Sequence, residues 1–176
     1  MKTPNQLFGI IGVLSVAAAL QGCGYHVGGR GSSLPATWHT IAVPAFANKT
    51  HSYKLEQRLT GAVIHEILAR TAYHVVSEPA GADAVLHGEV TSIESVVATF
   101  DPTSQRATSM LVTVKIRVWL VDSDQKEVYR NDDFVFRQLY EISTDVASFF
   151  DEQSPALQRL SGDFARSLVS AILEKF

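Results

Sequence analysis

The alternation of apolar and polar residues is clearest at positions 110–121, and it constrains the fold of this 176-residue chain more than any other feature. Successive side chains of a β-strand point to opposite faces, so the pattern predicts an antiparallel strand with one buried and one exposed face. The face predicted to be buried carries Met110, Val112, Val114, Ile116, Val118 and Leu120. The face predicted to be exposed carries Thr113, Lys115, Arg117 and Trp119.

Turn residues flank this strand on both sides. Residues 101–104 (Asp-Pro-Thr-Ser) precede it and residues 122–125 (Asp-Ser-Asp-Gln) follow it. Apolar segments beyond these turns predict a strand over residues 84–97, with Gly88 as a candidate bulge, and a last strand from Glu127 to about Tyr140. The three strands would form a meander, and a further short strand is predicted in residues 39–46.

Two amphipathic helices complete the predicted domain. The first covers about residues 53–70, and the second starts at Ser154 as N-cap with Pro155 at the first helical position. Helices with one apolar stripe each need an apolar sheet face to cover. We therefore expect an α+β fold, a two-layer sandwich of two helices on one face of a mostly antiparallel four-stranded sheet, formed by a single domain at residues 38–176. The apolar stripes of the two helices are Leu55, Leu59, Ala62, Val63 and Ile67, and Leu157, Leu160, Phe164, Leu168, Ile172 and Phe176.

Residues 1–22 have the pattern of a bacterial lipoprotein signal peptide. Lys2 precedes an apolar stretch at residues 7–20, which is shorter than the roughly 20 residues that a membrane-spanning helix needs. Residues 20–23 (Leu-Gln-Gly-Cys) match the lipobox, in which the cysteine is alkylated by a diacylglycerol donor and becomes the first residue of the mature chain. The same residues are also compatible with a plain secretory signal beside a stray cysteine, and with an apolar helix that has no targeting role.

Lipidation of Cys23 would fix the protein to a membrane, because two or more acyl chains hold a protein stably where one does not. Gly24 stands where inner-membrane lipoproteins of enteric bacteria commonly have Asp, so we expect the periplasmic face of an outer membrane. The Gly- and Ser-rich residues that follow are typical of a flexible linker. We predict a lipid-anchored tether over residues 23–37.

Charge and composition exclude several classes of function. Lys2 is the only charged residue in the signal, so its removal changes the formal net charge from −3 to −4. An acidic chain lacks the cationic surface that non-specific nucleic-acid binding needs, and we expect no nucleic-acid partner. Cys23 is the single cysteine of the chain, so the mature protein cannot form an intramolecular disulfide.

No catalytic or metal-binding constellation is evident in the sequence. The six histidines lack metal-ligand spacing, and His65-Glu66 lacks the second histidine of a zinc-binding helix. No serine lies in a Gly-x-Ser-x-Gly turn, and carboxylates such as Asp132 and Asp133 fall in predicted loops. We expect no enzyme activity, no metal and no cofactor apart from covalent lipid on Cys23.

Basic residues on the predicted meander are candidates for an anion site. Strand pairing can bring together Lys115, Arg117, Arg130 and Arg137, with Arg106 near the preceding turn. The alternative is that these charges are solvated and serve only to keep one sheet face soluble.

Several segments, in order, resemble the LPS-assembly lipoprotein (LptE) family. They are residues 23–26 (Cys-Gly-Tyr-His), Leu34-Pro35, residues 41–50 (Ile-Ala-Val-Pro-Ala-Phe-Ala-Asn-Lys-Thr) and residues 82–90 (Ala-Asp-Ala-Val-Leu-His-Gly-Glu-Val). The resemblance covers essentially the whole mature chain. It implies a two-helix, four-stranded sandwich at the outer membrane that plugs the β-barrel protein LptD and helps move lipopolysaccharide to the cell surface.

The resemblance also implies that basic residues contact the phosphates of lipopolysaccharide. After Phe100, where some members of the family have a basic residue, this chain has Asp101, and the nearest positive charge is Arg106. Arg137 fits the second basic position of the family. The candidate lipopolysaccharide-binding residues are Arg106, Lys115, Arg117 and Arg137.

The main alternative is a periplasmic adaptor lipoprotein that binds and activates a cell-wall synthase or a secretion complex. Proteins of that kind carry a loosely similar Ile-Ala-Val-Pro-x-Phe-x-Asn-x-Thr strand. A periplasmic hydrolase, a third class, lacks any supporting constellation in this sequence.

Overall fold

A mixed six-stranded sheet carries two helices on one face. The computed structural model describes residues 34–35, 37–142 and 153–174, so the predicted signal peptide, Cys23 and most of the predicted tether lie outside the described residues. The strands are β1 (Thr40–Ala42), β2 (Ala47–Asn48), β3 (His74–Val76), β4 (Ala84–Phe100), β5 (Ala107–Asp122) and β6 (Glu127–Glu141). The helices are α1 (Leu55–Arg70) and α2 (Gln153–Glu174).

The prediction of a mostly antiparallel four-stranded sheet is wrong in strand number and in strand direction. The strand order is β3-β1-β4-β5-β6, and β2 also pairs with β4. β1 is parallel to both β3 and β4, and β2 is parallel to β4. The three parallel pairings all involve β1, β2 or β3, which have only two or three residues each. Strands of this length are too short to show a period of two in the sequence. The crossover through α1 makes β1 and β3 parallel.

The α+β class and the antiparallel meander are confirmed. β4 pairs with β5 from Ala84 opposite Asp122 to Phe100 opposite Ala107, and β5 pairs with β6 along most of its length. Both predicted turns form, because an Asp side chain closes each one. Asp101 Oδ1 accepts a hydrogen bond from the backbone N–H of Thr103 (2.7 Å), and Asp122 Oδ1 accepts one from that of Asp124 (2.9 Å).

The core lies between the helices and the sheet, where the predicted apolar faces meet. From Val112 to Leu120, every second side chain of β5 is buried. The side chains of α1 and α2 that cover them are those of the two predicted stripes, apart from Phe176, which lies outside the described residues, and Ala62, which is partly buried. Leu34, although within the predicted tether, is only 4% exposed and belongs to the same core.

Polar contacts set the direction of the two helices. Arg58 Nη2 donates to Ser154 Oγ at 2.9 Å, near the starts of α1 and α2. Arg70 Nη1 donates to Ser170 Oγ at 2.6 Å, near their ends. The helices therefore run side by side in the same direction. No helix in the described part of the chain is long and apolar enough to cross a membrane.

Phe164 is the centre of an aromatic cluster that joins α2 to the sheet. Its ring makes edge contacts with Phe136, Phe134 and Phe46, at centroid distances of 5.5, 6.0 and 6.3 Å. Such edge-to-face pairs are worth about 0.5–1.5 kcal/mol each beyond the area they bury. The cluster thus links α2 both to β6 and to the segment between β1 and β2.

Phe46 occupies its place because residue 88 has no side chain. Gly88 lies on the helix-facing side of β4, opposite Val118, and a Cβ there would be 2.5 Å from Phe46 Cδ2. The Phe46 backbone N–H donates to Thr60 Oγ1 at 3.0 Å, so the segment is also attached to α1. Gly88 therefore accommodates a ring and is not the predicted bulge. The irregularities in β4 fall later in the strand, at Thr91 between Val90 and Ser92 and again after Val97.

Asp83 fixes the start of β1 beside β4. Its Oδ2 accepts hydrogen bonds from the backbone N–H groups of His39 (2.7 Å) and Thr40 (2.9 Å). These two bonds stabilise the carboxylate and lower the pKa of Asp83 from its ordinary value of 3.8. The Ala-Asp-Ala segment thus has a structural role in aligning two parallel strands.

Replacing Gly88 by Ala should destabilise the domain by about 1–3 kcal/mol, because the added Cβ overlaps the Phe46 ring. Gly61→Ala is the matched control, since nothing lies within 4 Å of a Cβ there and α1 should gain about 0.5–1 kcal/mol. Denaturant unfolding of both variants measures the difference. A Gly88→Ala protein as stable as the wild type would contradict the packing described for Phe46.

Asp83→Asn should remove a pH-dependent part of the stability. A carboxyl group whose pKa is lowered by folding stabilises the native state above its ordinary value of 3.8, and that contribution is lost as the pH falls through the folded-state pKa. The gap in unfolding free energy between wild type and variant should shrink as the pH is lowered from 7 toward about 3. Asp124→Asn, on an exposed turn, is the control. A pH-independent gap would show that the carboxylate charge has no part in joining β1 to β4.

Candidate interaction surface

The sheet face opposite the helices, called the outer face below, is formed by alternate residues of three long strands. Its side chains fall into rows that run across β4, β5 and β6, because the pairing places them opposite one another. From the β1 end to the turn between β4 and β5, the rows are His87–Trp119–Arg130, Glu89–Arg117, Ser92–Lys115–Val135, Glu94–Thr113–Arg137 and Val96–Leu111–Leu139.

Arg117 is held in an ion-pair network and is not free to bind an anion. Its Nη1 lies 3.5 Å from Glu89 Oε1, and its Nε lies 3.2 Å from Asp132 Oδ1 without hydrogen-bond geometry. Arg130 continues the network, with Nε 2.8 Å from Asp132 Oδ2 and Nη1 2.9 Å from Glu127 Oε2. These hydrogen bonds raise the pKa of Arg130, and the bond from Arg130 lowers that of Asp132.

The network has no net charge. Lys49 Nζ, 3.9 Å from Glu89 Oε2, supplies a third cation beside Arg117 and Arg130. Three carboxylates, those of Glu89, Glu127 and Asp132, balance them. Asp132, expected in a loop, instead lies within β6, where two residues of a bulge, Asp132 and Asp133, oppose Arg117.

Lys115 and Arg137 remain available on the outer face. Both are exposed, and among the described residues no carboxylate oxygen lies within 4.0 Å of either cation. Val135 pairs with Lys115, so Arg137, two residues further along β6, is its diagonal neighbour at about 7–8 Å. An anion could therefore contact both side chains.

Arg106 lies far from this pair. It precedes β5 in the turn at residues 101–106, where its carbonyl accepts a hydrogen bond from the Asp101 N–H at 2.9 Å. Nine residues separate it from Lys115, which is roughly 30 Å along an extended strand. The four predicted lipopolysaccharide-binding residues thus divide into a pair (Lys115 and Arg137), an ion-paired residue (Arg117) and a distant turn residue (Arg106).

Exposed apolar side chains lie toward the turn end of the meander, a feature that the sequence predictions missed. On the outer face, Val96 and Leu139 are each 52% exposed and flank Leu111 in one row. Val97 (41% exposed), which pairs with Met110 on the helix side of the sheet, and Phe100 (62% exposed) follow on β4. The sequence contains a signal for this feature, because apolar residues continue along β4 beyond the region that the helices can cover.

The opposite end of the domain contains a small apolar cavity. It is partly open to solvent. Its lining includes Leu34, Ile41, Tyr73, Leu86 and Ile172. The described residues contain no cluster of three or more His, Cys, Asp or Glu side chains that could hold a metal ion. Cys23, the predicted lipid attachment site, lies outside the described residues.

The fold and this surface define the class of protein as a two-layer α+β domain with an exposed sheet face. In the described residues that face carries paired charges, two cations without a salt bridge and an apolar end. The comparison with family models then identifies the family. The model described as "LptE: Lipopolysaccharide-assembly" matches residues 38–172, and the chain belongs to this family. The assignment is to a family of assembly lipoproteins, in agreement with the expectation that the protein is not an enzyme.

Solved structures share the fold at low sequence identity. The rare lipoprotein B from Shewanella oneidensis matches with a TM-score of 0.54 and 12% identity, covering 74% of this chain and 92% of that chain. An uncharacterized lipoprotein B from Nitrosomonas europaea matches with a TM-score of 0.53 and 12% identity, covering 78% and 88%. A search of curated protein sequences finds no match.

Proposed function

We propose that the protein is an outer-membrane lipoprotein of the lipopolysaccharide translocon, anchored through Cys23 at the periplasmic face. It assists assembly of the β-barrel protein LptD, fills its lumen and contributes to delivery of lipopolysaccharide to the cell surface. The observation that carries the proposal is the family match over residues 38–172, which starts 15 residues after the cysteine of the lipobox. The residues between Cys23 and the buried Leu34 would serve as the tether that lets the domain enter a barrel while the acyl chains stay in the membrane.

The outer face supports a direct contact with lipopolysaccharide. The lipid part of lipopolysaccharide combines phosphate groups with acyl chains. A protein surface that binds it therefore needs cations beside apolar side chains. Lys115 and Arg137 supply two cations that form no salt bridge with the described residues, and the row containing Val96 and Leu139 lies next to that of Arg137. Charge-assisted hydrogen bonds to phosphate would hold the head group, while the acyl chains could contact the exposed apolar row.

Reversing the two unpaired cations should weaken lipopolysaccharide binding. Hydrogen bonds to charged groups are worth about 1.5–3 kcal/mol each, so Lys115→Glu combined with Arg137→Glu should reduce affinity by roughly tenfold or more. The loss should be smaller at 0.5 M salt, because exposed charges are screened there. Binding of the purified domain to labelled lipopolysaccharide measures both quantities.

Arg117→Gln is the matched control for this experiment. Arg117 lies on the same face and strand as Lys115 but is already occupied by Glu89 and Asp132. Replacing Arg117 should change the affinity for lipopolysaccharide by less than about threefold, because its guanidinium group is paired with carboxylates and makes no contact with the ligand. Equal losses in the two variants, or none in the double variant, would refute the role given to Lys115 and Arg137.

Deleting the gene should lower the amount of surface lipopolysaccharide and leave the barrel partner misassembled. Both defects are expected together, because the proposed protein supports the barrel and the transport step. Surface labelling of lipopolysaccharide and the heat-modifiability of the barrel on gels report them separately. Normal levels of both in the deletion strain would overturn the proposal, and a plasmid copy of the wild-type gene is the control.

A further inference from the structure

In the described part of the chain, no strand pairs with one edge of the second half of β4, called the free edge below. On that side of β4, β1 pairs only with Ala84 and Val85, and β2 with Glu89 and Val90. The last contact is the hydrogen bond from Lys49 N–H to the Val90 carbonyl at 3.0 Å. Beyond Val90, no strand of the described residues pairs with this side. Over residues 91–100, alternate backbone N–H and C=O groups therefore face outward.

This edge carries few of the charges that protect exposed edges elsewhere. Residues 91–97 (Thr-Ser-Ile-Glu-Ser-Val-Val) contain one charged side chain and no Lys or Pro. The edge formed by β6, at the other side of the sheet, has the Asp132–Asp133 bulge and six charged side chains: Glu127, Arg130, Asp132, Asp133, Arg137 and Glu141. Both edges contain a bulge, so they differ in charge, and the β4 edge is the less protected of the two against pairing.

The size of the free edge argues for a larger partner and against a second copy. Register shifts after Val97 limit the regular part to about six residues, or roughly 20 Å by 10 Å of contact. That is roughly 200 Å² on each side, well short of the roughly 800 Å² per partner of a stable interface. Two copies joined here alone would dissociate, whereas a larger partner could add contacts with Val96, Val97 and Phe100.

We propose that the free edge of β4, at residues 91–97, binds an extended segment of a protein partner as an added strand. The partner segment would place apolar residues beside Val96 and Val97. A Lys or Arg would face Glu94, which is exposed and has no cation within 4.0 Å among the described residues. The inference rests on the proposed function in one respect, because the segment belongs to the protein partner with which the lipoprotein assembles.

Hydrogen exchange on the native complex, purified from membranes with its acylated lipoprotein, tests the pairing. Compared with the isolated lipoprotein, alternate amides of residues 92–97 should exchange at least tenfold more slowly in the complex. Added strands protect alternate residues, whereas simple shielding protects all of them. Uniform protection of residues 92–97, or none, would overturn the inference.

A pair of matched variants gives a second readout. Val96 and Leu139 are equally exposed and lie in the same row, on opposite edges of the sheet. Val96→Lys should lower the affinity for the protein partner at least tenfold, while Leu139→Lys should change it less than threefold. Unfolding experiments confirm that both variants are folded. Equal effects of the two substitutions would contradict a role specific to the β4 edge.

Other occupants would give distinct results. A concentration-dependent dimer of the isolated protein that Val96→Lys abolishes would show that the free edge binds a second copy of this chain and not a segment of a partner. Protection of residues 92–97 by lipopolysaccharide vesicles alone would show that lipid, and not a protein segment, covers the free edge. Failure of the wild-type protein to form any complex would overturn the proposed function together with the inference, whereas a complex with an unprotected β4 edge overturns the inference alone.

Discussion

The contact between the Phe46 ring and the bare backbone of Gly88 is the interaction on which the rest of the architecture depends. Phe46 follows β1 and precedes β2, so its position determines where both short strands meet β4. The same ring contacts Phe164 of α2, and its backbone is bound to Thr60 of α1. One side chain thus connects the parallel part of the sheet to both helices, and it fits only because residue 88 has no Cβ.

Salt bridges within the outer face determine which of its cations can bind an anion. The carboxylates of Glu89, Glu127 and Asp132 neutralise the cations near the β1 end, so that region contributes structure and solubility. Lys115 and Arg137 lie outside this network, next to the apolar row. Four cations lie in the rows of the outer face, namely Lys115, Arg117, Arg130 and Arg137, and Lys49 beside β2 joins the network from outside them. Two of the four, Lys115 and Arg137, form no salt bridge with the described residues, and their location follows from the pairing of the strands.

Long periodic segments could be predicted from the sequence, and short or register-dependent features could not. The alternation in β5 and the stripes of α1 and α2 each repeat several times, so they identified the α+β class, the meander and the buried faces. β1 was predicted from an apolar run within residues 39–46, but its parallel pairing was not, and β2 and β3 are held by tertiary pairing and carry no period of their own. The pairing of Arg117 with Asp132 depends on a bulge in β6, because a shift of one residue would move Asp132 to the other face.

The sheet is longer than the layer that covers it. The 17 residues of β4 extend over roughly 55 Å, whereas the 22 residues of α2 extend over roughly 33 Å. No described strand pairs with the outer edge of this uncovered part. A contact made there would leave the core between the helices and the sheet unchanged, because no residue of β4 beyond Val90 is buried.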